Sequence, residues 1–268
     1  MIKNIYVIFI FIITCSLKAQ SLYESGRDKY SKGNFDEAIQ LFTKSIDAAE
    51  NVFESYVFLG ASYSFKEDFN TAKINFDKAQ KINSERYLLK YYLGKFYFLR
   101  GDYENSICMY NDAMIVAEES DKDEVYDARS IVNFLTKNYE EAFEDISKAI
   151  RLDNFNPSYY YNRAYLLMNT KFYKKAIIDF NKAIILNPNS IKYFYNRGLS
   201  YFNSDDFENA ILDMTKVLSL KENDAEALLY RGISYYHVGK YKLACEDLNR
   251  SESLGYNIDK PDDLKCSK

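Results

Sequence analysis

The feature that most constrains this chain is an internal period of 34 residues. Aromatic residues stand at Phe35, Phe69 and Tyr103, and after one 36-residue step the spacing resumes at Tyr139, Tyr173, Phe207 and Tyr241. Three residues beyond each aromatic comes a small residue: Ala38, Ala72, Ser106, Ala142, Ala176, Ala210 and Ala244. Four further on comes a bulky one: Phe42, Phe76, Tyr110, Ile146, Phe180, Met214 and Leu248. Nine residues before each aromatic is another small residue: Gly26, Gly60, Gly94, Ser130, Ala164, Gly198 and Gly232. A fixed period of this length marks an array of supersecondary units, each unable to cover its own apolar face alone.

Spacings of three and four place the aromatic, small and bulky residues on one helical stripe. The small positions let two helices approach closely. Between the stripes lie turn signals such as Lys32-Gly33-Asn34, Arg100-Gly101-Asp102 and Val238-Gly239-Lys240. Asn154-Phe155-Asn156-Pro157 and Asn187-Pro188-Asn189 end one unit and start the next. Each unit therefore reads as helix, tight turn, helix. With only 9 Gly and 3 Pro, the composition also argues against an all-β fold rich in tight turns.

The run Tyr56-x₂-Leu59-Gly60-x₂-Tyr63 followed by Ala72-x₃-Phe76 resembles the tetratricopeptide repeat family, with Tyr where the family pattern has Trp. Tyr91, Leu93, Gly94 and Tyr97 follow the same pattern, as do Tyr201 and Ala210. The resemblance implies an all-α, right-handed superhelical solenoid of about seven repeats over 20–258, divided near 20–52, 53–86, 87–120, 123–156, 157–190, 191–224 and 225–258. The fourth unit departs most, with Ser130 for Gly and Asn133 for Tyr. The inserted residues just before it, around Glu118 to Asp123, are expected to form an acidic loop and a local bend.

Residues 1–19 read as a secretory signal peptide. Lys3 precedes an apolar run from Ile5 to Cys15, too short for the ~20 residues of a membrane span, and Ala19 offers a cleavage point. A signal anchor is the alternative. Ile12 to Ser16 also loosely resembles a lipoprotein signal in which Cys15 carries lipid. The expected location is the bacterial envelope, periplasmic or secreted, with a membrane association only if Cys15 is lipidated.

Three cysteines follow that segment. Continuing the register places Cys266 at the small first-helix position of an eighth unit, against the helix bearing Cys245. A Cys245–Cys266 disulfide would then clamp a short capping helix over 259–268, begun by Asp259-Lys260-Pro261. Two free thiols are the alternative. Ala244-Cys245-Glu246-Asp247-Leu248, Leu254-Gly255-Tyr256 and the late Cys look like the last repeat of exported Bacteroidota-type members of the family. Cys108, on a helix with apolar neighbours, is expected to be buried.

The chain offers little chemistry. It contains no G-x-G-x-x-G, no phosphate-binding loop, no C-x-x-C and no H-E-x-x-H, so no cofactor or metal is expected. The single imidazole, His237, is read as a surface residue at a helix end, and Asp205-Asp206 and Asp262-Asp263 as acids flanking helix starts. A net charge of −4 gives no global pull toward nucleic acid. The chain is therefore not read as an enzyme.

In a repeat array one edge of each first helix lines a concave surface. By the family resemblance its lining positions lie three and two residues before each small residue and one after it. In the fifth and sixth units these are Tyr161, Asn162 and Tyr165, then Tyr195, Asn196 and Leu199, flanked by Lys192 and Phe202. Tyr gives rigid contact area with a polar tip, and Asn gives a donor and an acceptor for a peptide backbone. With 26 Tyr in the chain, simple abundance explains the same pattern. Some family members hold a partner's terminal carboxylate with Lys and Asn residues from three repeats. Only Asn162 and Lys192 match that set, with Asp127, Ile131 and Asn196 in the other places, so the activity is not carried over. Arg129, Arg163, Arg197 and Arg231 recur where the family has Leu, and are expected to span helices and pair with an acid or a carbonyl.

The expected function is a non-enzymatic scaffold that takes a protein or peptide in the concave groove. The alternative is a structural subunit of an envelope assembly, docking by its convex face or its ends.

Overall fold

A computed structural model describes residues 21–256 together with Leu264 and Cys266. The proposed signal segment, Cys15, Asp262-Asp263 and most of the expected capping helix lie outside the described residues. Among the described residues all regular structure is helical, as fourteen α-helices and one 3-10 turn. The first helices of the pairs are α1 (Leu22–Ser31), α3 (Val52–Phe65), α5 (Tyr87–Leu99), α7 (Lys122–Leu135), α9 (Pro157–Asn169), α11 (Ile191–Phe202) and α13 (Ala225–His237). The second helices are α2 (Phe35–Asp47), α4 (Phe69–Ile82), α6 (Tyr103–Val116), α8 (Tyr139–Leu152), α10 (Tyr173–Leu186), α12 (Phe207–Leu220) and α14 (Tyr241–Ser253). Every second helix thus opens on one of the repeating aromatics. The inserted acidic stretch forms the 3-10 turn, Glu119–Asp121, ahead of α7.

The small positions do what their size predicts. A Cβ added at Gly94 would lie 2.5 Å from Tyr110 Cε1, and one at Gly60 would lie 2.8 Å from the Phe76 ring. Hydrogen at these sites sets how closely the two helices of a pair can pack. The turn between them always has a residue with positive φ: Gly33, Gly101 and Gly239, but also Glu67, Lys137, Lys171 and Asp205 at the same register. Four side-chain-bearing residues are therefore held in a conformation that suits glycine. Asp68, Asp102 and Asp206 cap the second helices that follow, each accepting from a backbone N–H three residues on.

By its contacts the chain divides into two compact units at Ser84 and Glu85. The first holds α1 to α4, with Phe42 stacked on Phe58 at 5.4 Å in its core. The second holds α5 to α14, and its core runs as a chain of clusters, each formed where one pair meets the next. At its end Leu264 is buried against Ala244 and Leu248, and Cys245 is bonded to Cys266.

Arg129, Arg163, Arg197 and Arg231 each grip an Asp sixteen residues later, on the second helix of the same pair: Asp145, Asp179, Asp213 and Asp247. All four carboxylates are buried. Two of the arginines also donate to an Asn of the preceding second helix, Arg129 to Asn111 and Arg197 to Asn181, both at 2.6 Å. Asn133, the fourth unit's departure from the pattern, donates to Asp145 at 3.2 Å and so joins this network.

Candidate binding groove

Applying the lining register to the compact unit that begins at Glu85 gives one row of side chains. It runs Tyr91, Tyr92 and Lys95 on α5, then Asp127, Ala128 and Ile131 on α7, then Tyr161, Asn162 and Tyr165 on α9. The residues expected from the sequence divide into three groups. Tyr161, Tyr165, Lys192 and Asn196 come together. The Tyr161 ring lies 5.1 Å from Tyr193 and 6.2 Å from Tyr165, Lys192 Nζ sits 4.5 Å from its centroid, and its hydroxyl accepts from Asn196 at 3.3 Å. Asn196 is buried and also donates to the Lys192 carbonyl at 2.9 Å. Asn162 turns toward the preceding repeat and donates to Asp127 Oδ1 at 2.7 Å. Tyr195 and Phe202 turn the other way, Tyr195 donating to Glu226 at 2.7 Å and Phe202 packing edge-on to Tyr230 at 5.1 Å.

A cavity of about 150 Å³ opens one step earlier in the same row. Its walls are Tyr91, Lys95 and Phe98 from α5, Tyr110 from α6, and Asp127, Ala128 and Ile131 from α7. The sequence reading stopped at the fifth and sixth units and missed this site, although the register that defined it applies unchanged to the third and fourth.

Titratable groups crowd the cavity. Lys95 Nζ rests 5.0 Å from the Tyr91 centroid and 5.4 Å from that of Tyr92. Burial lowers its pKa, against the pull of Glu124 and Asp127. Burial pushes Asp127 up to about 6, although the Asn162 hydrogen bond and Lys95 oppose the shift. Burial also raises Glu124, while Lys95 opposes the shift and Asp123 adds to it. Tyr159 closes the acidic side by donating to Asp123 at 2.8 Å. Desolvation thus dominates in all three groups.

Elsewhere His237 is exposed and stacks on Phe207 at 4.1 Å. Cys108 is a free, exposed thiol, which corrects the expectation that it is buried. It occupies the register of Ile74, Ile178 and Leu212, all exposed on second helices, so its apolar neighbours in sequence belong to an outward face. Among the described residues no group of three or more His, Cys, Asp or Glu could hold a metal ion, and no helix is long and apolar enough to cross a membrane.

Antiparallel helix pairs in a fixed register, with a lined row along their first helices, define a helical repeat protein. Residues 53–86, 157–190 and 191–224 match descriptions of the tetratricopeptide repeat, and the chain carries repeats of that family. Solved structures share the fold. A tetratricopeptide repeat protein from Parabacteroides merdae aligns with a TM-score of 0.58 at 21% identity, over 88% of this chain and 93% of its own. The C-terminal part of a repeat-containing protein from Cytophaga hutchinsonii aligns with a TM-score of 0.61 at 19% identity, over 87% and 95%. YrrB, described as a repeat protein with an unusual peptide-binding site, aligns with a TM-score of 0.58 at 21% identity, over 67% and 91%. No curated protein matches the chain.

Proposed function

We propose that the chain is an exported, non-enzymatic scaffold that binds a peptide or protein segment along the edges of its first helices, with the cavity of the third and fourth repeats as the seat of the contact. One observation carries this reading. Tyr91, Lys95, Asp127, Ala128 and Ile131, most of the cavity's walls, stand at the register positions through which such arrays present a groove. Aromatic walls with a few placed polar groups are what a specific site requires. The peptide-binding site described for YrrB is consistent with this use of the fold. Export is supported by the apolar run after Lys3 and by the Cys245–Cys266 bond, which persists where the surroundings are oxidising. Mass spectrometry of the protein from its source would separate cleavage after Ala19 from lipidation at Cys15.

The groove is tested by selecting short peptides from a random display library on the immobilised chain. Asn162 and Asn196 already serve the protein's own hydrogen bonds, so the informative variant is Ile131→Lys with Tyr165→Ser. It should weaken selected peptides about tenfold or more while leaving helix content unchanged. Undiminished binding would move the site elsewhere.

A different observation favours a second reading. Ile178 and Ile185 on α10 and Leu212 on α12 are strongly exposed, with Ile185 at 74%. Apolar residues concentrated in this way mark docking surfaces. A structural subunit of an envelope assembly would use this face. Its complex would survive the groove variant and dissociate in Ile178→Lys with Ile185→Lys.

A further inference from the structure

The charges around the cavity do not balance. Asp123, Glu124 and Asp127 lie within one turn or so of α7, where side chains three and four apart are neighbours. Lys95 is the cation that acts on Glu124 and Asp127. The basic residues beside them in sequence are engaged elsewhere: Lys122 pairs with Glu119 at 2.7 Å and Arg129 with Asp145 at 2.7 Å. The remaining partners are neutral. Tyr159 donates to Asp123 and Asn162 to Asp127, which satisfies oxygen atoms without cancelling charge. Glu124 and Asp127 therefore share one ammonium group, with Asp123 adjoining them on the same helix.

The walls suit a cation in a second way. Tyr91 and Tyr110 supply two electron-rich rings to the walls, and Tyr91 is itself backed by Tyr87 at 5.7 Å and Tyr92 at 5.3 Å. Lys95 already uses two of those faces. The volume, about 150 Å³, is below the range of small-molecule sites and matches a single side chain.

We propose that this cavity receives a basic side chain, arginine or lysine, projecting from an extended partner segment, so that partners of the groove carry a cationic anchor opposite the third and fourth repeats. The inference rests on the groove reading above and adds the charge of the occupant. An acidic anchor would meet Asp127 in the wall with Glu124 one turn away, and juxtaposed like charges are strongly disfavoured at an interface.

The test uses labelled peptides built of Ala, Tyr and Asn that differ only in a central Arg, Gln or Glu, titrated into the whole chain. The Arg peptide should bind most tightly, on the order of tenfold above the Glu peptide, with an advantage that shrinks as salt is added. In Asp127→Asn with Glu124→Gln, which keeps the acceptor oxygens, the preference for the Arg peptide over the Gln peptide should disappear. Circular dichroism checks that this variant is folded. Equal binding of Arg and Glu peptides, or an Arg preference that persists in the double variant, overturns the charge inference and leaves the groove intact. Failure of all three peptides to bind overturns the groove reading, and this inference with it.

Discussion

Arg163 holds Asp179 through two parallel hydrogen bonds, Nε at 2.7 Å and Nη2 at 2.8 Å, across the two helices of one repeat. The same grip recurs in each of the last four repeats, while the corresponding positions of the first three are Ser25 with Leu41, Leu59 with Asn75, and Leu93 with Met109. The chain thus contains both a charged and an uncharged solution to one packing problem. A buried ion pair adds little over an apolar pair of similar size, but half of one is costly.

That contrast makes a prediction. Arg163→Leu should destabilise the protein by about 2–4 kcal/mol, because Asp179 is left buried without a cation. Arg163→Leu with Asp179→Met, copying Leu93 and Met109, should recover most of the loss. Urea unfolding of the single and double variants measures both; a double variant as unstable as the single one would refute the explanation.

Asp127 gives a pH dependence of definite sign. Its carboxyl titrates at about 6 in the folded chain against an ordinary value of 3.8, so between those values the folded state binds more protons than the unfolded one. Its contribution to stability therefore falls as pH rises through that window. Asp127→Asn keeps the acceptor for Asn162 and should be more stable than the parent at pH 8, by about 1–2 kcal/mol, with the difference vanishing near pH 4. Paired denaturation curves at the two pH values test this.

The turn register offers a stabilising change. Lys137 and Lys171 adopt φ of 66° and 65° where three other repeats have Gly. Lys137→Gly should raise stability by about 0.5–1 kcal/mol, since relief of the left-handed strain outweighs the added freedom of the unfolded chain. Thermal melts suffice to detect it.

Gly94 should not tolerate the smallest enlargement. Gly94→Ala places a methyl against the Tyr110 ring and should cost about 1–3 kcal/mol despite alanine's better helix propensity. Adding Tyr110→Ile, as the fourth repeat pairs Ser130 with Ile146, should restore it, which chemical unfolding would reveal.

Cys266→Ser should loosen the end of the chain. The bond closes a separation of 21 residues, and such a loop is worth about 3 kcal/mol. Hydrogen exchange should quicken in α13 and α14 and stay unchanged in α5 and α6.

The helices were legible because their determinants are local and repeated. Each second helix begins on its aromatic, and each small residue sits beneath a bulky one. Left-handed turns could be read at Gly33, Gly101 and Gly239 but not at Glu67 or Lys171, where the fold imposes the geometry on residues that do not ask for it. The arginines were visible as a series. That they span helices to an acid or a carbonyl was legible too; which acids was not, although Asp145, Asp179, Asp213 and Asp247 repeat at the same interval, because the pairing crosses a turn. The register of the groove was also legible. Which repeats leave a cavity was not, since this depends on where side chains turn: Asn162 toward Asp127, Tyr195 toward Glu226, and Phe98 and Tyr110 inward from flanking positions.

Leu264 and Cys266 give the last helix pair a covering that the other pairs lack. Leu264 is buried in one cluster with Ala244 and Leu248, and Leu229, Ile233 and Tyr236 pack against that cluster. With Leu264 seated there and Cys266 bonded to Cys245, this side of the last helix pair is occupied by the chain's own residues and held shut by a covalent bond.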